Sequence, residues 1–133
     1  MMPTQQNTLA THIKRGDVMA AQCPSRVFLR HVTSQWGVLV LTALRTGTLR
    51  YSDIRRRIHG ISEKMLAQTL RTLEADGFVQ RTVHPAVPPH VDYHLTFAGE
   101  EVARRVADLA NWIETHLTHL LSAQNRLNAD AAR

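Results

Sequence analysis

Residues 51–77 read Tyr51-Ser52-Asp53-Ile54-Arg55-Arg56-Arg57-Ile58-His59-Gly60-Ile61-Ser62-Glu63-Lys64-Met65-Leu66-Ala67-Gln68-Thr69-Leu70-Arg71-Thr72-Leu73-Glu74-Ala75-Asp76-Gly77. In the first part Ser52 offers an N-cap, Ile54 and Ile58 point inward one turn apart, Arg55, Arg56 and Arg57 lie largely outward, and Gly60 is the stop. Ser62 caps the second pattern, which runs to about Asp76 and is closed by Gly77. Two helices joined by a tight glycine-containing turn make a helix-turn-helix candidate. At 100° per residue, Leu66, Leu70 and Leu73 fall within about 60° of one another and form a buried stripe. Lys64, Gln68 and Arg71 share the opposite arc with the small Ala67 and Ala75. Small side chains let a backbone approach base edges, and Gln and Arg match the hydrogen-bond patterns of adenine and guanine. The same residue types populate ordinary solvated helix faces. The position of this helix, second in its unit and just before a hairpin, favours DNA.

That hairpin follows at once. Phe78 to His84 and Val91 to Leu95 alternate with period two around the stiff tip Pro85-Ala86-Val87-Pro88-Pro89. Upstream, Thr48 to Tyr51 allows only a short strand. A helix from about Ser34 to Gly47, apolar nearly all round, marks the centre of the core. Before it, Val27, Phe28, His31 and Val32 continue a short helix with Pro24 in its first turn and Cys23 at its N-cap. Downstream, Thr96 caps a long helix reaching roughly Ala123. The chain thus divides into a flexible N-terminal arm over 1–22, a winged-helix domain over 23–123 whose final helix spans about 96–123, and a polar tail over 124–133. The fold class is mainly α with a small β-hairpin.

With 133 residues the chain is one domain, able to bury roughly two-thirds of its unfolded surface without disulfides. No apolar run approaches the ~20 residues of a membrane span, and no basic-then-apolar leader is visible, so the expected location is cytoplasmic. The net charge is +5, and residues 45–71 alone carry seven basic and two acidic side chains. Fourteen of the sixteen basic residues are arginine, which suits bidentate phosphate and guanine contacts. Localised charge of this kind points to an anionic polymer as partner.

The final helix has its own pattern. Val102, Val106, Leu109, Ile113, Leu117 and Leu120 form a seam over almost three heptads, widened by Trp112 and Leu121. A compact winged helix needs little of so long a helix. We therefore expect a homodimer paired through this seam, with Phe28 of the first helix joining it. Two-fold symmetry would place two recognition helices about one DNA turn apart, matching an inverted-repeat operator.

Several runs together resemble the HxlR family of small winged-helix bacterial transcription regulators. They are Cys23-Pro24, Trp36-Gly37-Val38-Leu39, Arg50-Tyr51-Ser52-Asp53-Ile54, Ile61 to Leu66, Leu70 to Val79 and Pro88 to Thr96. The resemblance covers about residues 23–117 and is greatest to the YtfH/QorR branch. It implies a homodimer on double-stranded operator DNA, with the Ser62 helix in the major groove and the hairpin as the wing. The DNA-binding set is then Ser62, Lys64, Gln68, Arg71 and Arg50, with Arg55, Arg56 and Arg81 on phosphates. Two departures stand out. Thr33-Ser34-Gln35 replaces a common Gly-Gly-Lys before the tryptophan, and Asp92 replaces the more usual glutamate.

A thiol at a helix N-terminus, three residues before Arg26, should have a lowered pKa. Cys23 therefore reads either as a redox or electrophile sensor, answering a small thiol-reactive effector as related family members do, or as an inert buried thiol. His90, Asp92 and His94 share a strand face, yet structural zinc usually takes four protein ligands and cysteines are missing, so no metal or other cofactor is expected. No oxyanion or substrate-binding motif accompanies Cys23 and a histidine, so no enzyme is expected. The reading is a dimeric DNA-binding regulator, a repressor. The alternative from another class is a winged-helix protein-interaction module that does not read DNA.

Overall fold

A computed structural model describes residues 15–132. Helices α1 (Ser25–Thr33) and α2 (Gln35–Leu44) lead into a two-residue strand β1 (Leu49–Arg50), then α3 (Tyr51–Arg57) and α4 (Glu63–Ala75). Strands β2 (Val79–His84) and β3 (His90–Leu95) follow, then α5 (Phe97–Thr115) and α6 (Leu117–Ala131). The sheet is antiparallel in the order β1-β3-β2, with Val79 opposite Leu95, His84 opposite His90, and Arg50 opposite Asp92. This is a winged helix-turn-helix: α3 and α4 form the unit, and the β2–β3 hairpin is the wing.

Local chemistry sets most element starts. Ser34, Ser62 and Thr96 each accept the backbone N–H three residues on, at 3.1, 3.0 and 3.0 Å. Ser52 does not cap α3. That helix starts at Tyr51 with Arg50 in the N-cap position, because Arg50 is still extended and paired to β3, and its N–H donates to Asp53 Oδ2 at 3.4 Å. The chain passes from strand to helix without a spare residue. Nor does α3 run to Gly60; Ile58 is already extended and buried, and Gly60, at φ +90°, makes the turn that follows. Cys23 likewise stands outside α1, whose N-cap is Pro24 in helical conformation.

The core is built on α2. Val40, Leu41 and Leu44 meet Ile54 and Ile58 of the α3 region, Leu66, Leu70 and Leu73 of α4, Val79 and Leu95 at the base of the wing, and Ala103 and Val106 of α5. Burying a side chain of this size stabilises the fold by about 1.5–3 kcal/mol. The base of the wing is tied to the first turn of α5. Thr96 donates its N–H to the Phe78 carbonyl at 3.1 Å and its hydroxyl to the Gly77 carbonyl at 2.6 Å. A Cβ at Gly99 would collide with that same Phe78 carbonyl, so only glycine lets the first turn of α5 lie there.

The long C-terminal helix of the sequence reading is two helices. His116 leaves helical geometry at φ −109°, ψ 14°. Thr115 Oγ1 donates to the Trp112 carbonyl at 3.0 Å, and the His116 ring, stacked on Trp112, places Nδ1 2.8 Å from the same oxygen. The backbone N–H of His116 still donates to that carbonyl at 3.1 Å, so three donors crowd one oxygen where α5 ends. Beyond the break α6 continues to Ala131, so most of the polar segment 124–133 is helical. The N-terminal arm over 1–22 lies outside the described residues up to residue 14. From residue 15 the chain makes turns, with Arg26 donating to the Val18 and Met19 carbonyls at 2.8 and 3.0 Å.

Candidate nucleic-acid interface

Burial of Leu66, Leu70 and Leu73 fixes the rotation of α4 about its axis, and Lys64, Gln68 and Arg71 emerge together on the exposed side. Ala67 between them is half-buried and Ala75 is exposed. The N-terminus of α4 is held by its neighbour: Tyr51 of α3 donates its hydroxyl to the Glu63 carbonyl at 2.7 Å. Burial, more than the nearby Glu63 carboxylate, pushes the Tyr51 hydroxyl above its usual range, so it stays a donor. The helix-turn-helix angle is therefore fixed by a hydrogen bond as well as by packing.

A groove runs between α4 and the wing, lined by Ala67, Leu70, Arg71, Glu74, Arg81 and Tyr93. It brings Arg71 of the helix and Arg81 of β2 to one concavity, and neither forms an ion pair among the described residues. The groove thus presents two guanidinium groups, with the Glu74 carboxylate on the same lining. Arg55 and Arg56 differ. Arg55 reaches Glu63 Oε1 at 2.9 Å, and Arg56 pairs with Asp53. Arg57 turns back onto Thr46 Oγ1 at 2.7 Å. Arg50 projects from β1 at the far edge of the sheet, exposed, and Ser62 is occupied by its cap.

Around Cys23 the chain from Gly16 to Ala20 folds back on the start of α1. Sγ accepts the Ser25 hydroxyl at 3.0 Å and the Asp17 backbone N–H at 3.2 Å. These bonds, Ser25 first, lower the thiol pKa, and partial burial followed by the Asp17 carboxylate opposes them. The direction agrees with the sequence reading but the cause does not, since Arg26 is turned to the Val18 and Met19 carbonyls. The thiol is half-buried, neither sealed in the core nor fully open.

The apolar seam divides at the end of the core. Val106 is buried and Val102 packs against the chain's own core. Both were expected at a dimer interface, but they complete this domain because α5 lies directly along α2. Further on, Leu109, Ile113 and Leu117 are 56%, 43% and 50% exposed, with Trp112 and Leu121 beside them; Leu120 is half-covered. Phe28 is 44% exposed and meets Phe78 edge-on, with centroids 6.3 Å apart.

A family model described as HxlR-like helix-turn-helix matches residues 31–120. The chain belongs to this family. It is 56% identical over 120 residues to YtfH, an uncharacterized HTH-type transcriptional regulator of Escherichia coli strain K12, across 90% of this chain and 95% of that one. The solved structure of a transcriptional regulator ytfH from Salmonella typhimurium superposes with TM-score 0.79 at 57% identity, covering 84% of this chain and 99% of that one. The redox regulator HypR in its reduced form matches with TM-score 0.67 at 33% identity, covering 74% and 98%. The HxlR-like match takes in the helix-turn-helix, the wing and α5, and it begins after Cys23.

Within this HxlR-like frame two contacts were missed from the sequence. His31 Nδ1 lies 2.5 Å from Asp76 Oδ2, joining α1 to the end of α4 across 45 positions, a separation that leaves no local signal. The Asp53–Arg56 pair was readable from its i, i+3 spacing. No single helix among the described residues is long and apolar enough to cross a membrane.

Proposed function

We propose that this chain is a dimeric, sequence-specific DNA-binding transcriptional regulator, a repressor, acting in the cytoplasm and without enzymatic activity. One observation carries the reading: α4 presents Lys64, Gln68 and Arg71 on one exposed face, and Arg71 shares a groove with Arg81 of the wing. In this reading α4 is the recognition helix, Gln68 and Arg71 read base edges, and Arg50, Arg55, Arg56 and Arg81 meet phosphates. Ser62 places the helix N-terminus, and Lys64 completes the face. The test is a gel-shift titration of DNA flanking the gene against sheared genomic DNA at two salt concentrations. Tighter binding to the flanking DNA, falling steeply with salt, is expected. Salt-independent or absent binding would return the chain to a protein-interaction module.

The exposed stripe of Leu109, Trp112, Ile113, Leu117 and Leu121 supports pairing of two chains through α5 and α6, with Phe28 and the half-covered Leu120 at its margin. A contiguous apolar face of this kind needs a cover, and a second copy gives the two-fold symmetry that an inverted-repeat operator mirrors. Cys23 supports a thiol switch responsive to a small electrophile or oxidant: its pKa is lowered, its sulfur is reachable, and HypR, a structural relative, is a redox regulator. Diamide should weaken operator binding by the wild type and leave Cys23→Ser unaffected.

A further inference from the structure

The wing carries a second cluster of chemistry-bearing side chains that DNA reading does not use. We propose that His84, His90 and Asp92 form a binding site for a divalent transition-metal ion of the zinc class, where the two wing strands enter their tip.

His84 and His90 are direct register partners across β2 and β3, and Asp92 lies two residues beyond His90, so all three project from one face of the hairpin. Asp92 Oδ2 stands 2.8 Å from His84 Nε2 and 3.9 Å from His90 Nε2, and the ligand atoms of all three lie within 4.8 Å of one another. Around a tetrahedral ion with bonds of about 2.0–2.1 Å, donor atoms sit about 3.3 Å apart. The two measured separations bracket that value, so small side-chain rotations bring the donors to an ion without moving the strands. The imidazole rings are stacked, with centroids 4.5 Å apart and planes at 22°, which already holds their donor edges side by side. Nε2 of His90 is the ring nitrogen on the Asp92 side, at 3.9 Å from Oδ2, while Nδ1 lies 3.5 Å from the Pro88 carbonyl.

The donor set selects the ion. Two imidazoles and one carboxylate suit zinc, cobalt or nickel and not the oxygen-seeking magnesium or calcium, and three protein ligands leave a fourth position for water. Arg50, the register partner of Asp92 on β1, makes no ion pair with it among the described residues; the carboxylate is turned to the histidines. The third ligand is His84, across the strands, and not His94, which lines a separate cleft with Leu44, Arg45 and Thr48. A bound ion would clamp β2 to β3 where the proline-rich tip begins.

The experiment is a titration of the full chain carrying Cys23→Ser, so that the thiol cannot contribute, with cobalt(II) chloride followed by its visible absorption. We expect saturation at one ion per chain with the intense bands of a four-coordinate site, and loss of those bands when zinc is added. His84→Ala and His90→Ala should each weaken binding at least tenfold, whereas His94→Ala and His119→Ala leave it unchanged. Should an alanine variant alter the far-ultraviolet circular dichroism, Asp92→Asn, which preserves shape, carries the same tenfold expectation. Absence of saturable binding at millimolar cobalt, or binding that survives His84→Ala combined with His90→Ala, overturns the site.

Discussion

Nδ1 of His31 and Oδ2 of Asp76 lie 2.5 Å apart, and this contact ties α1, the helix that begins beside Cys23, to the C-cap residue of α4. The Asp76 side chain is only 11% exposed, so removing its partner strands a largely buried carboxylate. His31→Ala should cost about 1.5–3 kcal/mol in urea unfolding, the range for a hydrogen bond to a charged group. It should also weaken the effect of Cys23 modification on DNA binding. An unchanged unfolding midpoint would show that the pair carries no stability.

Base readout and phosphate contact separate by their salt dependence. Gln68→Ala or Arg71→Ala should lose about 1–3 kcal/mol on the operator and much less on nonspecific DNA. Arg81→Ala should weaken all sequences alike and reduce the salt slope by about one. Equal losses on operator and nonspecific DNA for both α4 variants would remove Gln68 and Arg71 from readout.

Arg55 must leave Glu63 before it can serve a phosphate, since the two are 2.9 Å apart at the start of α4. Glu63→Gln keeps the side-chain shape and removes the competing charge. Its DNA affinity should therefore rise at low salt and converge on the wild type as salt screens the difference. A fall in affinity would place Glu63 in direct contact with a base.

Assembly and folding should come apart along α5. Ile113→Asp or Leu109→Asp puts a charge on the exposed stripe, and the expected product in sedimentation is a folded monomer. Val106→Asp buries a charge in the domain's own core and should unfold the chain instead. A folded Ile113→Asp dimer at micromolar concentration would place the interface elsewhere.

The thiol should show its environment in alkylation. With its pKa lowered by the Ser25 hydroxyl and the Asp17 N–H, the Cys23 iodoacetamide rate should reach half its plateau below the ~8.5 of a free thiol. Ser25→Ala removes the largest cause, so the profile should move to higher pH. Asp17→Asn removes an opposing negative charge, and its profile should move the other way. A Ser25→Ala profile coincident with the wild type would refute the hydrogen-bond origin.

Local signals in the sequence were enough to order the elements as far as α5 and to set which face of α4 is buried. Ser62, Thr96 and Gly77 act within a turn of where they stand, and the Leu66, Leu70, Leu73 stripe follows from helical period alone, so its opposite face, Lys64, Gln68 and Arg71, was legible too. Periodicity states which residues share a face; it does not state what covers that face. It took the packing of whole helices to lay α5 along α2, which draws Val102 and Val106 into the core while Leu109, Ile113 and Leu117 stay exposed. Local signals did not reveal that Arg50, committed to its pairing with Asp92, displaces Ser52 as the cap of α3, or that His116 interrupts the last helix. The pairing register brought His84 to Asp92, and helix packing brought His31 to Asp76. The physical reason is one of range: caps and stripes are set by neighbours within about four positions, whereas these pairings join residues whose proximity depends on how whole elements stack.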